Sequence, residues 1–318
     1  MPKTTYPQTI REFREKFSND ILCLKYLAEK RWPDGFICPQ CLSKSAWLNR
    51  KRYLYECKNC HKQTSPTAGT IMHRSHIPIQ EWFWATYLVA THTPGISARQ
   101  LQRQLGIKYD TAWYMLHRLR KGMVDDYRLK LSGLVEADET FVGGPAKGKT
   151  GRGVIAAPNK SLVIGAVEVR SYIDKHSEMQ EQAGRVRLKV IPHANESLIE
   201  NFMLQNVEKD SSIRTDGWRG YSKTALADYK HISRVLGSSQ NAHQLAPHIH
   251  RVFSNLKTWL QGTHHGVDPK YLQSYLNEYV FRFNRRMTPM AAFQTLLKIS
   301  SQKDPAPLRL IKQPESNG

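Results

Sequence analysis

Two groups of residues in this 318-residue chain have the types and spacing to do chemistry. The first is Cys38-Pro-Gln-Cys41 and Cys57-Lys-Asn-Cys60, two C-x2-C pairs with fifteen residues between them. Each pair points two thiolates at one ion, and the intervening length suits a hairpin that returns the second pair to the first. Four thiolates close a tetrahedron with no open position, so the expected ion is a structural Zn2+. His61 reads as a surface residue, and Cys23 as a buried free thiol. The second group is a pair of aspartates. Asp138 stands in Val-Glu-Ala-Asp-Glu-Thr and Asp216 in Ile-Arg-Thr-Asp-Gly-Trp, each in or at the end of a predicted strand. On adjacent strands such carboxylates can bridge two divalent cations about 4 Å apart. Hard oxygen ligands favour Mg2+ or Mn2+. Ions so placed activate a water or a 3′-hydroxyl and stabilise the leaving oxygen of a phosphodiester.

The elements that must position these residues fall in a definite order. Residues 6–31 carry apolar positions at helical spacing (Phe13, Phe17, Leu24, Leu27) and end in turn chemistry at Trp32-Pro-Asp-Gly35. Three helical pieces follow the cysteines, at 80–90, 97–105 and 110–122. The chain then reads strand (134–142), strand (162–169), strand (186–191), helix (196–207), strand (212–215), short helix (221–229), strand (232–236). Helices at 247–261, 269–285 and 289–300 each open with Pro. Three leading strands followed by alternation is the ribonuclease H-like order. There the first and fourth strands are neighbours, which would bring Asp138 beside Asp216.

A third ligand in such a site comes from the helix after the fifth strand. It is usually a Glu about 35 residues beyond the second Asp, with a basic residue seven later. Here His250 stands 34 residues after Asp216, and Lys257 lies seven after His250. Asn255 is the alternative. Neither imidazole nor amide brings negative charge; Glu139 or Glu278 could supply it.

Charge agrees with a polyanionic partner. The chain carries 47 Lys+Arg against 27 Asp+Glu, a formal net charge of +20. Its isoelectric point near 9.8 points away from an ordinary neutral metabolic enzyme and towards nucleic acid. Residues 38–130 are the most basic stretch, with 15 basic and 5 acidic side chains. Within them, Ile96–Ile107 followed by Asp110–Arg120 reads as a helix-turn-helix, with Gly106 at the turn. Arg99, Arg103, Lys108, Arg118 and Arg120 are its expected DNA contacts. Gly143–Thr150 satisfies G-x4-G-K-[ST], but no amphipathic helix follows to cradle a phosphate. The segment reads instead as a basic hairpin loop whose Lys147, Lys149 and Arg152 touch a DNA backbone. ATP binding lost in Lys149→Ala would revive the nucleotide reading. No apolar run is long enough for a membrane span and no signal peptide opens the chain, so a cytoplasmic, nucleoid-associated protein is expected.

Together these motifs resemble the bacterial insertion-sequence DDE transposases that carry an N-terminal zinc ribbon, the IS fifteen-ninety-five group. The resemblance is carried by the Cys38–Cys60 ribbon, Glu136-Ala-Asp-Glu-Thr-Phe-Val-Gly-Gly144, Thr215-Asp-Gly-Trp-Arg-Gly-Tyr221, Ser254–Gly266 and Tyr275–Arg286. It implies an α+β multidomain chain: an N-terminal helical segment (1–35), a zinc ribbon (36–66), a helix-turn-helix region (77–130), a ribonuclease H-like catalytic domain (131–300) and a loose tail (301–318). It implies binding of terminal inverted repeats, with metal-dependent strand cleavage and strand transfer on double-stranded DNA. A homo-oligomer is expected, because two element ends must be joined. Asp138 and Asp216 correspond to the first two catalytic acids, and the third position departs from Glu. That departure keeps open an alternative, a catalytically inactive or domesticated DNA-binding descendant.

Overall fold

The computed structural model describes residues 6–143, 160–216, 220–222, 225–233 and 246–313. The chain divides into two compact units: Met1–Asp125 with Arg285–Gln313, and Asp126–Asn284.

The first unit opens with α1 (Ile10–Lys16) and α2 (Asp20–Arg31). The predicted single helix is broken at Phe17-Ser-Asn19, because Asn19 is itself an N-cap whose side chain accepts from Leu22 N. A small antiparallel sheet follows, β1 (Ala46–Asn49), β2 (Leu54–Cys57) and β3 (Gln63–Thr64). Then come α3 (Ile79–Thr91), α4 (Ala98–Leu105) and α5 (Tyr109–Gly122). Ser97 caps α4, and Gly106 ends it at φ +65°, the left-handed turn that a helix-turn-helix needs.

The C-terminal boundary differs from the expected 131–300. Helix α9 (Pro289–Gln302) belongs to this first unit and not to the sheet unit. Its Phe293 enters an aromatic cluster with Phe13, Phe17 and Phe83, at centroid distances of 5.5, 5.7 and 6.1 Å. The tail beyond it is not wholly loose. Ala306 is buried and its carbonyl accepts from the Tyr114 hydroxyl at 2.9 Å, ahead of a short helix α10 (Leu308–Lys312).

The second unit is a five-stranded mixed sheet. In chain order it holds β4 (Leu134–Gly143), β5 (Lys160–Ile173), β6 (Met179–Ile191), α6 (Glu196–Asn206), β7 (Ser212–Thr215), β8 (Lys230–Ser233), α7 (Pro247–His264) and α8 (Leu272–Phe283). The spatial order is β6-β5-β4-β7-β8. The first three strands pair antiparallel, and β4-β7-β8 pair in parallel. This is the ribonuclease H-like arrangement. Residues 225–229 form turns where the sequence predicts a helix.

Alternation along β4 assigns its side chains to two faces. Val135 and Ala137 join Ile164, Ala166, Ile199 and Phe202 in the core under α6. Glu136, Asp138 and Thr140 lie on the other face, towards α7, where Val163 and Val167 pack with Ile249, Phe253 and Leu256. Gly165, directly opposite Asp138, allows this approach: a Cβ there would lie 2.8 Å from the Phe253 ring. The glycine therefore lets α7 lie close to the sheet beside Asp138.

Candidate functional site

In the ribbon the two C-x2-C pairs adopt one backbone pattern twice. Leu42 N donates to Cys38 O and His61 N to Cys57 O, both at 3.0 Å. Cys38 N donates to Ser43 O and Cys57 N to Lys62 O. Leu42 and His61, each following a second cysteine, are left-handed at φ 61° and 56°. The four sulfurs converge within 4.8 Å of one another, and Cys38–Cys60 and Cys41–Cys57 approach to 3.5 Å. His61 stays outside the cluster, with a ring 69% exposed near Glu56. Such a closed set of four soft ligands suits a structural ion. Cys23 is buried and free, its thiol pushed up to about 12 by burial and the nearby Asp20.

The sheet order brings the strands that carry the two aspartates side by side. The β4–β7 register pairs Leu134 with Ser212, Val135 with Ile213 and Glu136 with Arg214. Carried two residues on, the same offset sets Asp138 level with Asp216, which directly follows β7. Burial pushes the Asp138 carboxyl up to about 7, and the charge of Asp216 adds to the shift. Glu139 is also pushed up to about 7, by burial and by Asp138 and Asp216, although it accepts a hydrogen bond from the Tyr221 hydroxyl. Three acids thus crowd one region. Glu278 is not among them: it is fully buried on α8 and lies 3.9 Å from Arg282.

Helix α7 meets β4 as a ladder. His250 Nδ1 lies 3.5 Å from Asp138 Oδ2, and Lys257 Nζ donates to Thr140 Oγ1 at 2.7 Å. Burial and the neighbouring Lys160 lower the Lys257 ammonium, against the pull of Asp138. Positions seven apart on a helix share a face, so His250 and Lys257 reach the strand together. Asn255 is exposed, on a different face of the helix, and the structure does not bring it to Asp138.

The first rung of the ladder is a residue that the sequence reading left without a role. Glu136 is fully buried, and its Oε2 accepts from His248 N at 2.8 Å and Ile249 N at 3.0 Å. Helix α7 has no side-chain cap of its own, so Glu136 caps it from the neighbouring strand. Its Oε1 accepts from Arg214, which also holds Glu181 through both carboxylate oxygens. Glu136, Glu181 and His248 bring ligand atoms within 4.8 Å of one another, but the Arg214 guanidinium already provides their cation. We read this cluster as structural. The available signal was Glu136 two residues before Asp138, on the same face of the strand.

Glu136→Ala is expected to destabilise the second unit by about 3 kcal/mol, since it strips a buried ion pair and uncaps a helix. Glu136→Gln, which keeps an acceptor, should lose clearly less in urea unfolding. Equal losses would mean that capping contributes little.

Two sequence profiles match the chain. Residues 130–284 match the ISXO2-like transposase domain and residues 18–63 the transposase zinc-ribbon domain. The chain belongs to this insertion-sequence transposase family. It is also 26% identical over 268 residues to an uncharacterized protein in transposable element ISH50 of Halobacterium salinarum, covering 80% of this chain and 88% of that protein. In this transposase no described helix is long and apolar enough to cross a membrane.

The expected DNA contacts of the transposase divide sharply. Arg99, Arg103 and Lys108 are exposed, with the Arg99 guanidinium 4.7 Å from the Tyr109 ring centroid. Arg118 and Arg120 are buried, at 4% and 1% exposure, and cannot reach DNA from this position. Arg118 donates to His73 O at 2.8 Å and lies over the Trp82 and Tyr114 rings, 5.2 Å from each centroid. Aromatic faces and a carbonyl replace the water it gives up. Arg282 on α8 is likewise a packing residue, over Trp259 and near Glu278. Lys147, Lys149 and Arg152 lie outside the described residues. A nucleotide loop leads from a strand into a helix; the next described element after β4 is instead β5, antiparallel to it with Lys160 opposite Gly143.

Arg118→Ala is accordingly expected to cost on the order of 2 kcal/mol of stability and leave the salt dependence of DNA binding unchanged. Arg103→Ala should do the reverse, reducing the slope of log K against log salt by about 1. Melting curves and a salt titration with duplex DNA separate the two.

Proposed function

We propose that the protein binds the terminal inverted repeats of its own element and catalyses divalent-metal-dependent strand cleavage and strand transfer, acting as a homo-oligomer on double-stranded DNA. One observation carries this: Asp138, within β4, and Asp216, directly after the adjacent parallel β7, fall on one register line, with His250 at 3.5 Å from Asp138. The donor set fits a hard cation, because the Asp138 carboxyl is raised by burial and by the charge of Asp216, which a bound cation would relieve. Bound there, Mg2+ or Mn2+ supplies the charge neutralisation and the activated oxygen that phosphodiester chemistry needs.

The protein's own residues divide the work. Asp138 and Asp216 hold the cations, and His250 takes the third position. Glu139, fixed by Tyr221, adds negative charge without a fourth helix residue. Lys257, steadied on Thr140, meets a phosphate of the strand. Arg99, Arg103 and Lys108 hold the DNA duplex from the first unit, where the four cysteines bind structural Zn2+.

The test is nicking of DNA that carries the element's own ends. Asp138→Ala and Asp216→Ala should abolish it while DNA binding persists, and His250→Ala should impair it far more than Asn255→Ala. Full cleavage by either aspartate variant would sink the assignment. The absence of an acid at position 250 favours a second reading, a DNA-binding descendant that no longer cuts. Binding to the repeats with no nicking in either metal would establish that one.

A further inference from the structure

Beside the carboxylate site the second unit contains a cavity of about 300 Å3 that the cleavage chemistry leaves unused. Its floor is the end of β4 and the start of β5, at Val142 and Ser161. One wall is the last turns of α7, with Lys257, Leu260 and Gln261. The other is the turn that follows, from His265 to Pro269.

That turn is held from several sides. His265 is left-handed at φ 56° and Gly266 has φ 103°. Their amides close the helix end, His265 N on Gln261 O at 3.1 Å and Gly266 N on Leu260 O at 3.3 Å. Behind it the His264 ring packs edge-on against Trp259 and Tyr275, 4.8 Å from each centroid. The cavity is therefore formed by the fold itself, and it uses Gln261, His265 and Gly266 from the Ser254–Gly266 motif, which the metal site does not explain.

Lys257 decides what the cavity faces. It lines the cavity and also donates to Thr140 Oγ1, on the same strand face as Asp138 two residues away. A strand whose phosphate lies against the carboxylates would carry its neighbouring nucleotide past Lys257 and over this opening. The volume stands at the small end of ligand pockets, about 300–1,000 Å3, which suits one planar group better than a whole nucleotide cofactor. Apolar walls at Val142, Leu260 and Leu272 suit the faces of such a group. The Gln261 amide offers both a donor and an acceptor for its edge.

We infer that this cavity receives one unstacked nucleobase of the DNA strand being cut, from a nucleotide next to the scissile phosphate. Housing a base there fixes the strand on both sides of Lys257, and the cost of unstacking is a few kcal/mol, least at a mispaired or damaged position. The inference rests on the proposed cleavage reading, and the experiment separates the two.

Element-end DNA is labelled with 2-aminopurine at successive positions around the cut, and fluorescence and nicking are read on the same samples. Fluorescence should rise severalfold at one position within two nucleotides of the cut. It should fall back in Gln261→Trp, which fills the mouth from an exposed position. That variant should nick paired DNA about tenfold more slowly, yet recover on DNA with an abasic site at the responsive position. Its melting temperature checks the fold. Bound, nicked DNA with no fluorescence rise at any position overturns the inference and leaves cleavage standing. So does a Gln261→Trp protein that cuts paired DNA as fast as the unaltered chain. A fluorescence rise without nicking supports the cavity and removes the cleavage reading.

Discussion

Asp138→Asn is expected to abolish strand cleavage and, in metal-free buffer, to make the protein more stable than the unaltered chain at pH 8. The sign follows from proton linkage. Burial raises the Asp138 carboxyl from 3.8 to about 7 in the folded protein, with Asp216 as a further cause. Between those values the folded state binds a proton that the unfolded state has released. Stability therefore falls as pH rises from about 4 to about 7 and stays low above it. Glu139, raised to about 7, acts in the same window. A shift of this size is worth on the order of a few kcal/mol at neutral pH. Asn is nearly isosteric with the protonated acid and carries no charge at any pH. The two proteins should thus melt alike near pH 4 and diverge towards pH 7, with the variant higher. Mg2+ should reverse the order, because it stabilises the chain that retains its carboxylates by mass action and has little hold on the variant. Melting curves at pH 4, 6 and 8, with and without Mg2+, read all of this. Parallel pH profiles for the two proteins, or equal stabilisation by Mg2+, would remove Asp138 from the metal site.

What the sequence could show follows from the range of the interactions involved. The cysteine pairs are local, and so are the strand patterns that order the sheet; both were legible. His250 and Asn255 stay open as alternatives in the sequence, and helix geometry favours His250. A helix brings positions seven apart onto one face, and Lys257 is seven from His250 but only two from Asn255. The capping role of Glu136 is hidden in the sequence, because the amides it accepts from lie 112 and 113 residues away. Nothing in a strand's own pattern announces which helix will end on it. Arg118 and Arg120 depart from the expected DNA contacts for a related reason. Charge suggests exposure, but the Trp82 and Tyr114 faces and the His73 carbonyl hold the Arg118 guanidinium inside the first unit. The last helix falls in the first unit, which the sequence does not show, because an amphipathic pattern fixes that a helix packs, not against what. Phe293 finds its partners at Phe13, Phe17 and Phe83, more than two hundred residues back.

Removing the ribbon's metal should unfold the ribbon and leave the five-stranded sheet intact. The ribbon's own core is three buried side chains, Phe36, Cys38 and Cys57, with Trp32, Tyr55 and a few others packed partly around them. Two of those three are metal ligands. The Phe36 and Tyr55 rings stack at 5.0 Å, and the strands are only four, four and two residues long. A unit this small does not bury enough apolar area to offset its chain entropy. Four thiolates held within 4.8 Å are in addition mutually repulsive without a cation. Structural Zn2+ contributes about 10–16 kcal/mol in comparable sites, far more than this core can supply. Chelation at neutral pH, or Cys57→Ser, should therefore abolish amide protection over 46–64. It should also make Cys38, Cys41, Cys57 and Cys60 reactive to a thiol reagent, while Cys23, buried on α2, reacts only on wider unfolding. The second unit holds none of these residues, and its β4–β7 amides should keep their protection. Because the exposed Arg99, Arg103 and Lys108 stand outside the ribbon, DNA binding should weaken without vanishing. Full protection over 46–64 in metal-free protein would show that the cysteines are not a folding centre.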